Sequence, residues 1–297
     1  MTDPQLPVAE QAFRTPGRSA GLLEVVRQPY LTTLIVHKEL RARYRGSVFG
    51  MLWSYAKPVT QFLVFYFAIG VFMRMNEQIN HYVIYMFSGV VAINYFSEAF
   101  GNATRSVVGN APLVKKIYLP RELFPVSALW VALVHFLPQV FVLFCGSLFF
   151  GWRPTLGGIA AILLGFLTIT FFSLGLGLLA GALNVYYRDA ENFVDLILMV
   201  ATWVSPVLYT WKMVHDQLGA HFGGIPWILY QLNPLTTAVE LFHKGFWAST
   251  LDPAEAAQVA LPNAWGWGLA GFAISVGILV LGELYFRKAD PGFAQEL

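Results

Sequence analysis

Six histidines, at positions 37, 81, 135, 215, 221 and 243, are the residues from which metal-assisted or acid–base chemistry would be built. No pair of them has the His-Glu-x-x-His spacing of a hydrolytic zinc site or any other metal-ligand spacing. Only His135 falls within an apolar span, where a satisfied core imidazole is the expected state. The single cysteine, Cys145, lies in an apolar run, which excludes an intramolecular disulfide and a Cys-based metal site. No Gly-x-x-x-x-Gly-Lys-Ser/Thr sequence occurs, so the chain does not cradle ATP by that route. Nothing here builds an enzyme by itself.

Two kinds of residue remain that could act on another molecule. The first is a polar insert, Asn110 to Pro125, between two long apolar runs. Prolines at 112, 120 and 125 hold each preceding residue toward extended geometry, so the insert reads as a stiff connector. Lys115, Lys116 and Arg121 against Glu122 mark it as cytoplasmic, where a soluble partner could push. The second is the aromatic content, 16% of the chain with nine Trp. Phe62, Phe65 and Tyr66, and farther on Trp203, Tyr209 and Trp211, could offer stacking surfaces to sugar rings. Membrane-interface anchors explain many such residues equally well, Tyr209 and Trp211 above all.

The elements that must position these groups follow from composition. Hydrophobic residues make up 57% of the 297, charged ones 12%, and mean hydropathy is +0.57. A soluble domain is about 25% charged. The fold class is therefore an all-α integral membrane protein. Its length accommodates roughly six spans, expected within 48–73, 82–100, 124–150, 158–183, 196–209 and 265–286. Pro138 is an expected kink in the third span. Gly175, Gly177 and Gly181 give the fourth a small-residue face. Residues 1–29 read as a cytosolic tail without the apolar stretch of a cleavable signal. Residues 30–47 read as an amphipathic helix in the membrane surface, with Lys38, Arg41, Arg43, Tyr44 and Arg45 toward its end. Within 215–250, Asn233-Pro234 interrupts an apolar run and Glu240, His243 and Lys244 crowd its second half, which favours two short re-entrant or interfacial half-helices over a seventh span. Residues 289–297 read as a second cytosolic tail.

With both termini inside, fifteen of the nineteen Lys and Arg fall on the cytosolic side, as the positive-inside rule demands. Spans one, three, four and five carry no Asp, Glu, Lys or Arg in their interiors, which disfavours proton or sodium coupling. Energy for uphill transport would then enter from another chain. A second polar element, Asn184 to Asp195, could dock on the basic insert or on a partner; Arg188 and Glu191 or Asn192 have pairing distance on a helix.

These residues resemble the membrane subunits of ABC-2 type polysaccharide exporters, of the O-antigen and teichoic-acid kind. The resemblance covers about residues 30 to 288. It rests on Arg43-Tyr44-Arg45-Gly46-Ser47-Val48-Phe49-Gly50-Met51-Leu52-Trp53 with Pro58, on Leu113-Val114-Lys115-Lys116 and Leu119-Pro120-Arg121, on Tyr187-Arg188-Asp189, and on Leu232-Asn233-Pro234. Phe49 stands where leucine is commoner. Within the family the chain is similar to the actinobacterial exporters of lipid-linked galactan. The resemblance implies a domain over 48–288 whose gate and coupling segment, 101–125, carries Asn110, Leu113, Val114, Lys115, Lys116, Leu119, Pro120 and Arg121. It implies an outer gate at Asn233 and Pro234 and a channel lined by spans one and five. It further implies a homodimer in the bacterial cytoplasmic membrane, two copies of a separate subunit that binds ATP and Mg, a lipid-linked glycan as substrate, and no nucleic acid. An ABC-2 exporter of a small lipophilic compound and a membrane lipid-processing transferase are the alternatives.

Overall fold

A computed structural model describes residues 21–297 except Tyr118 and Ala220, with the side chain of His221 also outside the described set. The described residues hold helices and turns and no strand. In chain order the helices are α1 (Leu22–Val26), α2 (Pro29–Tyr44), α3 (Trp53–Phe65), α4 (Met75–Gln78) and α5 (Tyr82–Gly109). The basic insert forms α6 (Ala111–Lys116), followed by α7 (Leu123–Phe149), α8 (Leu156–Tyr186) and α9 (Ala190–Val204). Short helices α10 (Trp211–Leu218), α11 (Ile225–Leu232), α12 (Pro234–Phe242) and α13 (Pro253–Val259) precede α14 (Ala264–Ala289) and α15 (Phe293–Glu296).

Among the described residues five helices are long and apolar enough to cross a membrane: Gly50–Phe72, Tyr82–Gly109, Leu123–Phe149, Leu156–Tyr186 and Ala264–Glu296. The span expected at 196–209 is built differently. Its helix, α9, covers 15 residues, about 22 Å at 1.5 Å per residue, against a hydrocarbon core of about 30 Å. Ser205 turns extended at its end, and the apolar residues that follow, Val207 and Leu208, are buried in a turn rather than in a helix. α7 runs through Pro138 without interruption.

Local chemistry fixes several boundaries. Pro29 opens α2 at a position where its missing N–H is harmless. The Thr155 hydroxyl accepts a 2.9 Å bond from the Gly158 N–H and caps α8. Asn233 caps α12 in the same way, accepting from Leu235 N–H at 3.1 Å, and Pro234 begins that helix. One dipeptide thus ends α11 and starts α12, giving the two half-helices.

The helix α5 is the axis of the bundle. Buried residues make up 72% of its apolar window but only 6% of the Gly50–Phe72 span, which lies on the rim. Around α5 pack α7, α8, α9 and α12, with a core of Tyr85, Met86, Ile93, Phe96, Phe136, Val239 and Phe242. The glycine face of α8 divides between two neighbours. Gly181 looks onto α5, where a β-carbon would stand 3.2 Å from the Ala103 carbonyl; at Gly175 one would stand 2.6 Å from the backbone N of Leu279 in α14. Gly175→Val is therefore expected to push these helices apart at a cost of about 2–3 kcal/mol, read as a lower melting temperature in detergent. An unchanged melting temperature would mean that the contact is not tight.

A second, smaller core closes the end of the bundle that carries the basic insert. Val25, Val107, Val114, Phe124, Leu178, Phe286 and Phe293 meet there. The two expected tails take part where they are described. Leu22 N–H bonds to Glu283 at 2.9 Å and Val25 is buried. At the other terminus Asp290 and Phe293 are buried and the Tyr186 hydroxyl donates to the Ala289 carbonyl at 2.8 Å, so 289–297 is a docked segment rather than a free tail. The helix expected over 30–47 spans Pro29–Tyr44, and its faces are mixed: Tyr30 and Leu34 are exposed while Thr32 and Ile35 are buried. The reason is the polar floor it meets on α5 and α7.

Candidate functional site: a polar cavity and its charged floor

A cavity of about 1170 Å3 opens between α3, α5 and α9. Most of its polar lining comes from three helices, each with one stripe at helical spacing, and Arg43 of α2 and Gln139 of α7 complete it. On α3 the stripe is Ser54, Lys57, Thr60 and Gln61; on α5 it is Asn94, Ser97, Glu98, Asn102 and Arg105; on α9 it is Asp195 and Thr202. Trp53, Phe65 and Trp203 supply aromatic wall. Phe65 meets Trp203 edge to face, with ring centroids 6.1 Å apart, so the rim span and the short helix touch across the cavity. Amides, hydroxyls and flat apolar faces together suit a polyhydroxylated ligand: the amides exchange hydrogen bonds with hydroxyls and the rings cover C–H faces.

The floor is a network that ties α2 to the bundle. Arg43 donates to Glu98 at 2.6 Å, and the same carboxylate oxygen lies 2.6 Å from Nδ1 of His135 on α7. His135 is wholly buried, and its Nε2 lies 2.5 Å from the Tyr44 hydroxyl, which in turn meets Ser54 of α3 at 2.5 Å. One chain of contacts thus joins α2, α3, α5 and α7. A turn earlier on α2, Lys38 donates to Asn110, whose amide donates to Glu39 at 3.2 Å and to the Ser106 carbonyl at 2.9 Å. Arg105 ties α9 to α5 through both oxygens of Asp195, at 2.5 and 2.6 Å. Glu191 stands 3.7 Å from the same guanidinium, so the acidic element after α8 binds α5 rather than the basic insert, and Arg188 is not its partner.

Within the insert the expected contact residues separate into two sets. Lys115, Lys116 and Ile117 are exposed, and Leu113 and Leu119 half-buried. Asn110, Val114 and Pro120 are buried. Arg121 turns inward: its guanidinium reaches Asp290 Oδ1 at 2.9 Å, donates to the Asp290 carbonyl, and lies 5.8 Å from the centre of the Phe293 ring. It pins the C-terminal segment and is not a free cation for a partner. Arg121→Ala is expected to release residues 290–297, read as faster proteolysis there; unchanged cleavage would remove this role.

The comparisons with known proteins agree with this architecture. A profile described as ABC-2 type transporter matches residues 30–247. The chain belongs to the ABC-2 type transporter family. An "O-antigen export system permease protein RfbA" of Klebsiella pneumoniae is 32% identical over 264 residues, covering 88% of this chain and 94% of that protein. A second Klebsiella pneumoniae protein of that name is 29% identical over 75% of this chain and 82% of its own length. One from Myxococcus xanthus is 25% identical over 93% of this chain and its entire length.

In this ABC-2 chain the aromatic candidates fall into different places. Phe65 and Trp203 line the cavity. Phe62 and Tyr66 stack on each other, and Phe62 packs against Phe87 of α5 at 5.1 Å, on the core side. The Tyr209 hydroxyl donates to the Trp203 carbonyl at 2.7 Å and its own carbonyl accepts from Tyr85, so it closes the end of α9. Trp211 bonds through its indole N–H to the Val259 carbonyl at 2.9 Å and neighbours Trp227, away from the cavity. Asn233 and Pro234 start a helix buried along its full length, so α12 is a fixed part of the bundle. Of the α2 candidates, Lys38, Arg43 and Tyr44 reach the partners described above, Lys38 and Arg43 from exposed positions, while Arg41 and Arg45 are exposed.

Glu98, Asn94, Asn102 and Lys57 were not among the expected site residues. Their signal was present: Asn94, Glu98 and Asn102 recur at intervals of one helical turn in an otherwise apolar span. Among the described residues no group of three or more His, Cys, Asp and Glu is placed to hold a metal.

Proposed function

We propose that this ABC-2 permease exports a lipid-linked polysaccharide, a cell-surface or cell-wall glycan, across the bacterial cytoplasmic membrane. The observation that carries the reading is the cavity between α3, α5 and α9, where amides, hydroxyls and the Phe65–Trp203 wall are arranged for sugar. The relatives named for O-antigen export support it. Two copies of the chain would bring their rim spans and α9 helices together around a shared path. Two ATP-binding subunits, holding ATP and Mg, would push on Lys115 and Lys116 from the cytosol, where both termini lie. A lipid-linked galactan is the specific substrate we put forward.

The test is ATPase activity of the purified complex with three additions: lipid-linked galactan, another lipid-linked glycan, and a small lipophilic compound. Stimulation by the glycan-lipids, reduced in Trp203→Ala, is the expected result. Stimulation by the small compound alone would move the chain to the other branch of the family.

A further inference from the structure

The cavity holds three cations, and they are not equivalent. Arg43 is engaged by Glu98 at 2.6 Å and Arg105 by Asp195 at 2.5 and 2.6 Å. Lys57 is exposed, lines the same cavity, and has no ion pair or hydrogen bond among the described residues. Around it on α3 stand Ser54 one turn before and Thr60 and Gln61 one turn after, all lining the cavity. Glu98 answers Arg43, and Asp195 with Glu191 answers Arg105, so among the described residues Lys57 is the lining cation whose charge has no carboxylate beside it. A glycan's hydroxyls have no use for that charge. An ammonium with hydroxyl and amide donors one turn away is the chemistry that holds a phosphate ester.

We propose that Lys57, with Ser54, Thr60 and Gln61, binds a phosphate-type anion joining glycan to lipid. This deepens the reading of the cavity as a lipid-linked glycan site and rests on it for the identity of the ligand. The position suits the task. Lys57 belongs to the rim span, whose surface is largely uncovered, so a lipid chain stays outside while its phosphate turns inward. Arg43 and Arg105 border the same space but are already held by carboxylates, so Lys57 is the first cation an arriving anion meets.

The experiment uses the full chain purified in maltoside detergent, whose headgroup is uncharged. Native mass spectrometry would count bound dodecyl phosphate, dodecanol and inorganic phosphate. Dodecyl phosphate is expected to bind and dodecanol not. Lys57→Gln should weaken binding by about tenfold or more, the effect of losing one charge-assisted hydrogen bond. Lys57→Arg should retain it, while Lys212→Gln, a substitution at the other end of the bundle, should change nothing. Inorganic phosphate that fails to displace dodecyl phosphate supports a lipid ester as ligand; equal binding of the two overturns that part. Equal binding of dodecyl phosphate by the parent chain and Lys57→Gln overturns the site. The two levels of the argument separate cleanly. Lys57-dependent binding without glycan export would sink the exporter reading alone, and normal export by Lys57→Gln would sink the anion site alone.

Discussion

Glu98→Leu is expected to loosen the Arg43–Tyr44 end of α2 from the bundle and to abolish transport while the remaining spans stay folded. The carboxylate is the shared acceptor for Arg43 and His135, both within 2.6 Å. Removing it leaves a wholly buried imidazole without its acceptor and a guanidinium without its counter-charge. Breaking a buried pair costs about 3–5 kcal/mol and a surface pair about 0–1. Arg43 and Glu98 have side chains 38% and 25% exposed, so a cost of about 2 kcal/mol is the appropriate expectation. The consequence for function exceeds that for stability, because the Tyr44–Ser54 contact that ties α2 to α3 lies on the same network. Increased proteolysis between α2 and α3, with little change in the melting of the α5–α8–α14 core, is the predicted signature. A variant with intact protection and normal export would show that the network is ornamental.

The second large effect concerns the insert. Lys115→Glu with Lys116→Glu should leave the permease folded and nearly abolish coupling of ATP hydrolysis to export. Both side chains are exposed at the end of a six-residue helix whose other side is anchored by buried Val114. At the proposed contact with an ATP-binding subunit, reversing two charges would replace attraction by repulsion, worth several kcal/mol where like charges meet. ATPase without glycan movement, or loss of the ATP-binding subunit on purification, is the expected readout. Full coupling would relocate the contact. Arg121→Ala is expected to act differently, through the C-terminal segment, so the three basic residues are not interchangeable.

The class of fold was legible because apolar runs of about 20 residues have few alternatives. The break between α11 and α12 was legible too, since Asn at a cap and Pro at the next position act locally. The shortness of α9 was not: Pro206, Val207 and Leu208 continue its apolar run, and only the fold reveals that they are buried in a turn. The inward turn of Arg121 depends on Asp290, 169 positions away, and the floor of the cavity on Glu98, 37 positions from His135 and 55 from Arg43. Pairings at such separations leave no periodic mark. What they do leave is a polar residue every turn along one face of a span, as at Asn94, Glu98 and Asn102, and such stripes in apolar helices mark the lining of a path.

The most direct measurement is transport in inverted membrane vesicles carrying this chain with the proposed ATP-binding subunit. Lipid-linked glycan would be supplied outside and its appearance in the lumen followed with and without ATP. ATP-dependent accumulation of glycan, lost in Glu98→Leu and in the Lys115/Lys116 charge reversal, is the result predicted. Sustained ATP hydrolysis with no glycan in the lumen, or accumulation only of a small lipophilic compound, would contradict the account.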